Sequence, residues 1–463
     1  MNRVASVQLH GLFGYVDHSI KFRSNAPTIL TGPNGVGKTH LFILLRAALR
    51  LDIRALMKVQ FASLTVNFTD HSELRLQRYK KEDSDEQVLL VQSFSRGIRI
   101  GEPIEVDPSS TDSEDSQLPP HIEELPDGRW FDSRLGHIVS RAQIERRYGR
   151  RQLDKQNPIF SSNRFLQNML KGVTPILIDT KRLDSPSTAR MDTAWRSERR
   201  PLPSTLPSRI AASRIEEYTD QIRLQIAEAR RDSVAATQSA DLSFAIRALA
   251  AANDRVDEND LREKYRRIIN QFEELSSNAL TTSEEPPDFP PRTTPTIRRI
   301  LNVFLDDWEK RLKPLLPINK KVATLRRILD EKFAITGKTT RVTSDGRLII
   351  QSINGPVRVS SLSSGEQHLI ALFALLLFAA EEGSVVLIDE PELSMHAAWK
   401  HAFIADIMEV SDIARLQVVM ATHSSAIING RWDLVEELTV PVSSEPQSES
   451  SVDALSEDED FLE

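Results

Sequence analysis

Eight residues near the amino terminus, Gly32-Pro33-Asn34-Gly35-Val36-Gly37-Lys38-Thr39, fit the pattern G-x-x-x-x-G-K-[ST] and constrain the fold more than any other stretch. A short apolar run, Pro27 to Thr31, precedes them, and Leu41, Leu44, Leu45, Ala48 and Leu49 follow at helical spacing. The pattern is therefore strand, phosphate loop, helix. Its glycines let the backbone turn tightly and aim N–H groups at phosphate oxygens, at the positive end of the following helix. Lys38 is then placed to reach the β- and γ-phosphates, and the Thr39 hydroxyl to sit on Mg²⁺. A glycine-rich turn with no nucleotide is the alternative for the octapeptide taken alone.

The last quarter of the chain supplies what such a loop needs. Leu362-Ser363-Ser364-Gly365-Glu366-Gln367 opens an apolar helix, Leu369 to Ala380, and so presents a second helix start suited to an anion. Ser384 to Glu390 reads as a strand whose four apolar residues close on two carboxylates at a sheet edge. Asp389 is expected to hold Mg²⁺ through water, and Glu390 to orient an attacking water. Leu416 to Ser424 is a further strand with a polar end, where His423 is placed to hydrogen-bond a γ-phosphate.

Alternating residues predict a hairpin of Val4 to Leu9 and Ser19 to Phe22, with Gly11 and Gly14 in its turn. Phe13 and Tyr15 in that turn either stack on a base or pack the hairpin. Segments within Gln60 to Arg78 and Gln87 to Ile98 continue the antiparallel pattern, with Gln60 and Gln92 as candidate γ-phosphate sensors. Pro108 to Asp127 is a polar boundary, and Arg141 to Lys155 carries six basic and two acidic residues around Tyr148. That stretch is either a solvated helix face or a contact for phosphate or an acidic protein. Val173 to Leu183 predicts a buried strand whose polar end, Asp179, Lys181 and Arg182, faces the cleft. Three amphipathic helices follow, on Ile215-Tyr218-Ile222-Ile226-Ala229, Leu261-Tyr265-Ile268-Phe272-Leu275 and Ile297-Ile300-Phe304-Trp308-Leu312. Proline-rich breaks limit them to about 25 residues, a reach of roughly 40 Å, too short for a coiled-coil arm.

The net charge of -7 is a property of the end of the chain: Pro441 to Glu463 carries eight acidic residues and no basic one, leaving the body near +1. An acidic balance is thus no argument against an acidic partner. With no cysteine, disulfides, thiolate metal sites and cysteine nucleophiles are excluded. No apolar run spans a bilayer and no signal-peptide core opens the chain, so a cytoplasmic protein without membrane contact is expected.

Taken together, Gly32 to Thr39, Leu362 to Gln367, Asp389-Glu390-Pro391-Glu392 and Thr422-His423-Ser424 resemble the ABC-type ATPase head shared by SMC proteins, DNA-repair ATPases and OLD-like ATPases. The longer stretches LSSGEQH, LIDEPELSMHAAW and ATHSSAIINGRWDL look like the AAA-family, ABC-like ATPases of bacterial antiphage defence operons. The resemblance implies an α/β fold: an ABC-type P-loop ATPase head with an antiparallel β-subdomain and a helical insertion. It divides the chain into an N-terminal ATPase lobe (1–110), an insertion (111–335, mainly helical from about 208), a C-terminal ATPase lobe (336–440) and an acidic tail (441–463). By the same resemblance the cofactors are ATP and Mg²⁺. Gly32, Pro33, Asn34, Gly35, Val36, Gly37, Lys38 and Thr39 bind nucleotide, Thr39 and Asp389 hold the metal, and Glu390 and His423 are catalytic. Ser363 and Gly365 are signature residues that contact the γ-phosphate bound by an opposite subunit, with Ser363 also catalytic. His396 stands where transporter heads usually carry Asp. The implied partners are a homo-oligomer of head-to-head dimers, up to a hexamer, a separate TOPRIM-type nuclease effector, a phage-encoded trigger and DNA. A DNA-repair ATPase and an ATP-bound scaffold with little turnover are the rival readings.

Overall fold

The computed structural model describes residues 2–80, 87–106, 122–124, 130–132, 137–139, 163–179, 214–251, 254–281 and 288–439. The basic stretch at 141–155, Lys181, Arg182 and the acidic tail lie outside them. β1 (Val4–Leu12) and β2 (Val16–Lys21) form the expected hairpin, followed by β3 (Thr28–Thr31), α1 (Lys38–Arg50) and α2 (Ile53–Lys58). The chain continues through β4 (Ser63–Phe68), β5 (Ser72–Lys80), β6 (Gln87–Ser95), β7 (Ile98–Arg99) and β8 (Ile104–Val106). With the hairpin these make a seven-stranded sheet, ordered β2-β1-β4-β5-β6-β7 with β8 also on β6. Short β9 (Ile122–Glu124), β10 (Trp130–Asp132) and β11 (His137–Val139) pair antiparallel among themselves.

The centre of the molecule is a five-stranded parallel sheet. It takes β3, β12 (Pro175–Asp179), β16 (Val385–Asp389), β17 (Gln417–Ala421) and β18 (Val435–Glu437) in the order β12-β16-β17-β3-β18. Strands covered on both faces read as continuous apolar runs, and Val385-Val386-Leu387-Ile388 is one. Alternate side chains go to opposite faces. Ile29, Val386, Ile388, Val418 and Met420 join a core with the helices of the insertion, whereas Leu30, Val385, Leu387, Val419 and Ala421 join one with α1 and the antiparallel sheet.

The stretch 164–333 contains α3 (Arg164–Leu170), which packs with α1 and the antiparallel sheet, and α4 (Arg214–Ala250), α5 (Glu258–Ser277), α6 (Pro295–Leu312) and α7 (Leu316–Phe333). Among the described residues, none of its helices, nor any other, is long and apolar enough to cross a membrane. α4 has 37 residues, about 55 Å, and so exceeds the expected length. Its Tyr218, Ile222, Ile226 and Ala229 are buried as expected, but its far half is held by polar contacts: Ser233 Oγ donates to the Arg311 carbonyl (2.8 Å), and the Arg247 guanidinium grips the buried Asp307 (2.7 Å). The stripe expected to bury α6 is also partly wrong, because Ile297, Ile300 and Phe304 are exposed while Val303, Leu305 and Leu312 face inward.

After β13 (Thr339–Val342), β14 (Leu348–Ser352) and β15 (Gly355–Val357), α8 (Ser364–Ala374) runs into a π-helical turn, Leu375–Ala379. α9 (Ala397–Ala414) follows β16 and is pinned to α7 by the buried Lys332–Asp406 ion pair and by Trp399 Nε1 donating to the Lys332 carbonyl (3.1 Å).

Candidate functional site

The site is built at the carboxyl ends of the parallel strands, where α/β sheets gather chemistry. β3 ends at Thr31 and the loop Gly32 to Gly37 carries the chain to α1. Two glycines there have no substitute. Gly32 has φ +147° and a Cβ on it would lie 2.4 Å from the Leu438 carbonyl oxygen; Gly37 has φ +95° and its Cβ would meet Leu12 Cδ2 at 2.4 Å. Pro33, Asn34 and Gly35 form the exposed rim, and Val36 is buried against the β-subdomain.

Lys38 Nζ donates to the carbonyls of Gly32 (2.9 Å) and Pro33 (3.1 Å), inside the loop that it closes. Burial pushes its ammonium below the ordinary lysine value, and the carboxylates of Glu390, Asp389 and Glu392 push back. One cation thus faces three carboxylates, an arrangement that a polyphosphate with a divalent metal would complete.

The contact that joins the two ends of the chain is short. Thr39 Oγ1 donates to Asp389 Oδ2 at 2.6 Å, across 350 residues of sequence. A hydroxyl beside a carboxylate is a hard-oxygen pair suited to Mg²⁺, so these residues fit the metal that the sequence implies. Glu390, next in line, has left-handed φ of 46°, and its N–H donates to the Ala421 carbonyl (3.0 Å). A non-glycine residue held there carries local strain, which structures retain at functional positions.

Glu392, two residues past Glu390, links two of the loops at the site. Its Oε1 accepts from Thr422 Oγ1 (2.7 Å) and from the His423 N–H (2.9 Å), tying the loop after β16 to the loop after β17. Its Oε2 is buried without a hydrogen-bond partner among the described residues. The His423 side chain itself is exposed at the site. Glu392→Ala is expected to lower turnover by about tenfold or more, a typical scale for misplacing a proton-transfer or water-orienting group, while nucleotide affinity stays within about twofold. Steady-state kinetics beside equilibrium binding would check it; unchanged turnover rejects the coupling.

Ser363 stands apart from this cluster. It is the exposed N-cap of α8 in a capping box: Glu366 N donates to Ser363 Oγ (3.4 Å), and Ser363 N to Glu366 Oε2 (3.0 Å). Ser363 Oγ also donates to Glu366 Oε2 (3.0 Å), and Lys338 Nζ holds the other oxygen of that carboxylate (2.7 Å). Gly365 lies half-buried in the first turn of α8. His396 caps α9 through Nδ1, which accepts from Ala398 N (3.3 Å).

The remaining expectations divide. Phe13 packs edge-on against His40 in α1 (ring centroids 4.9 Å), whereas Tyr15 is exposed. Gln60 lies beside Gly14 and Gln92 in the middle of β6, so neither is on a strand of the parallel sheet. Asp179 ends β12 in register with Asp389 of β16.

A family model described as "AAA domain, putative AbiEii toxin, Type IV TA system" matches residues 172–429, from the approach to β12 past His423. The chain belongs to that family. It is an AAA-family ATPase domain. Among solved structures, an Smc head domain with an extended coiled coil from Pyrococcus furiosus, bound to the C-terminal domain of ScpA, aligns over 92% of this chain and 91% of that one at 15% identity (TM-score 0.34). The SMC head domain from Thermotoga maritima aligns over 94% and 95% at 11% identity (TM-score 0.30). No curated protein matches the sequence.

Proposed function

We propose that this chain is an ATPase of antiphage defence that senses a phage-encoded trigger and controls a separate toxic nuclease. The observation that carries its ATPase core is the Thr39–Asp389 hydrogen bond, which brings the phosphate loop and the carboxylate strand to one point. Lys38 and the loop N–H groups would bind the phosphates of ATP, and Thr39 and Asp389 would hold Mg²⁺. Bound there, Mg²⁺ would neutralise charge on the phosphates. Glu390 would orient the attacking water, and His423, held by Glu392 through its backbone, would contact the γ-phosphate. Catalysis of this kind comes from positioning and electrostatics more than from covalent chemistry.

The defence role rests on the resemblance of the signature, carboxylate and histidine segments to AriA, the ATPase of the PARIS system. By that likeness the effector is a TOPRIM-type nuclease similar to AriB, held on a homo-oligomer of head-to-head dimers. Expressing the chain with its neighbouring gene and challenging cells with phage tests it. Copurification of a nuclease and protection lost in Glu390→Ala are the expected results. Protection that survives Glu390→Ala, or a neighbour that never associates, rejects the effector-holding role and favours a DNA-repair ATPase.

A further inference from the structure

β2 reads Val16-Asp17-His18-Ser19-Ile20-Lys21, with the first, third and fifth side chains buried and the others exposed. His18 is therefore an imidazole at a core position, 4% exposed, between Val16 and Ile20. A polar ring in such a place costs stability unless it is hydrogen-bonded. Its Nε2 lies 2.8 Å from the carbonyl oxygen of Val36, in the phosphate loop. A carbonyl only accepts, so Nε2 carries the proton and donates.

The peptide geometry gives this bond a direction. Across a trans peptide the carbonyl of Val36 and the N–H of Gly37 point to opposite sides of the chain. Fixing the carbonyl toward β2 aims the Gly37 N–H away from β2, toward the inside of the loop. Gly37 lacks a side chain that could do this itself, and its φ of +95° leaves its orientation to its neighbours. The packing of Leu12 against Gly37 limits translation of this segment. Val36 is also fully buried and the Gly37 carbonyl accepts from the Leu41 N–H (2.8 Å), and the His18 bond acts with these on the tilt of the 36–37 peptide.

We propose that His18 is a positioning residue for the phosphate loop: the β-subdomain uses one buried imidazole to set the peptide whose N–H faces the phosphates of the nucleotide. The assignment rests on the reading of Gly32 to Thr39 as a nucleotide site. It predicts a defect that follows the phosphates shared by ATP and ADP and spares the chemical step. His18→Leu keeps an apolar body of similar size and cannot donate; His18→Gln places an amide N–H near the position of Nε2.

The test uses the full chain with Mg²⁺ and measures equilibrium binding of ATP and ADP, kcat at saturation, and melting without nucleotide. His18→Leu is expected to weaken ATP and ADP alike by about tenfold, the value of one oriented hydrogen bond, with kcat within about twofold of wild type. His18→Gln is expected to recover affinity to within about threefold while melting at the same temperature as His18→Leu. Wild-type affinity in His18→Leu overturns the proposal and leaves the nucleotide site standing. So does a Gln variant as weak as Leu when both melt early, because the ring would then be only a piece of the core. A wild-type chain that binds neither nucleotide removes the site reading and this assignment together.

Discussion

Lys38→Ala is expected to weaken ATP binding by about a hundredfold, as loss of a charged donor to phosphate does, whereas Glu390→Gln should bind ATP normally and lose about 10²–10⁴ in kcat. The two substitutions differ because the two side chains act at different moments. Lys38 is 7% exposed, with its ammonium among the loop's own carbonyls. In the proposed site its charge would act on the phosphates once they are bound. Glu390 sits one residue past the Thr39–Asp389 contact, so removing its charge leaves the hard-oxygen pair in place. Isothermal titration and phosphate release on the same preparations separate the outcomes. Equal ATP affinity in wild type and Lys38→Ala, or full turnover in Glu390→Gln, would reject the corresponding role.

The parts of this site that sequence made legible are those written in consecutive residues. Val385 to Glu390 announces a buried strand with carboxylates at its end, and the structure places Asp389 where the phosphate loop's Thr39 reaches it. Glu392 stayed without a role because its partners, Thr422 and the His423 N–H, are some 30 residues away and one is backbone. His18 was hidden differently: the expected strand begins at Ser19, and only the fold extends β2 back to Val16, turns His18 inward and sets its ring on the Val36 carbonyl.

The insertion was harder for a physical reason. α4 extends past its apolar stripe because Asp241 and Arg247 find partners on α6, and paired charges leave no periodic signal. α7 lies in the stretch expected to be mainly helical, yet its own stripe, Ile318, Val322, Leu325 and Ile328, buried at helical spacing, is not among the three patterns. Its Pro317 reads as a breaker, yet proline in the first turn is compatible with a helix because the N–H it lacks would be unpaired there anyway.

The position of α8 leads to the second large effect. α1 packs in the core on one face of the parallel sheet and α8 in the core on the other. The exposed start of α8, with Ser363 at its cap, thus belongs to the helical side of the molecule while the phosphate loop belongs to the β-subdomain side. A signature serine that contacts nucleotide from there would do so in a second copy. Ser363→Arg is accordingly expected to abolish hydrolysis, with ATP binding to each chain unchanged, because the bulky cation would obstruct the face that meets the partner's nucleotide. Mixing it with Lys38→Ala should restore activity: a heterodimer keeps one site made of the intact loop of the first variant and the intact Ser363 of the second. With random pairing, half the dimers hold one of two sites, which limits recovery to roughly a quarter of wild type. A mixture that stays inactive although mixed dimers form would place the whole hydrolytic site within one chain, and Ser363 would then be only the helix cap that its bonds to Glu366 already make it.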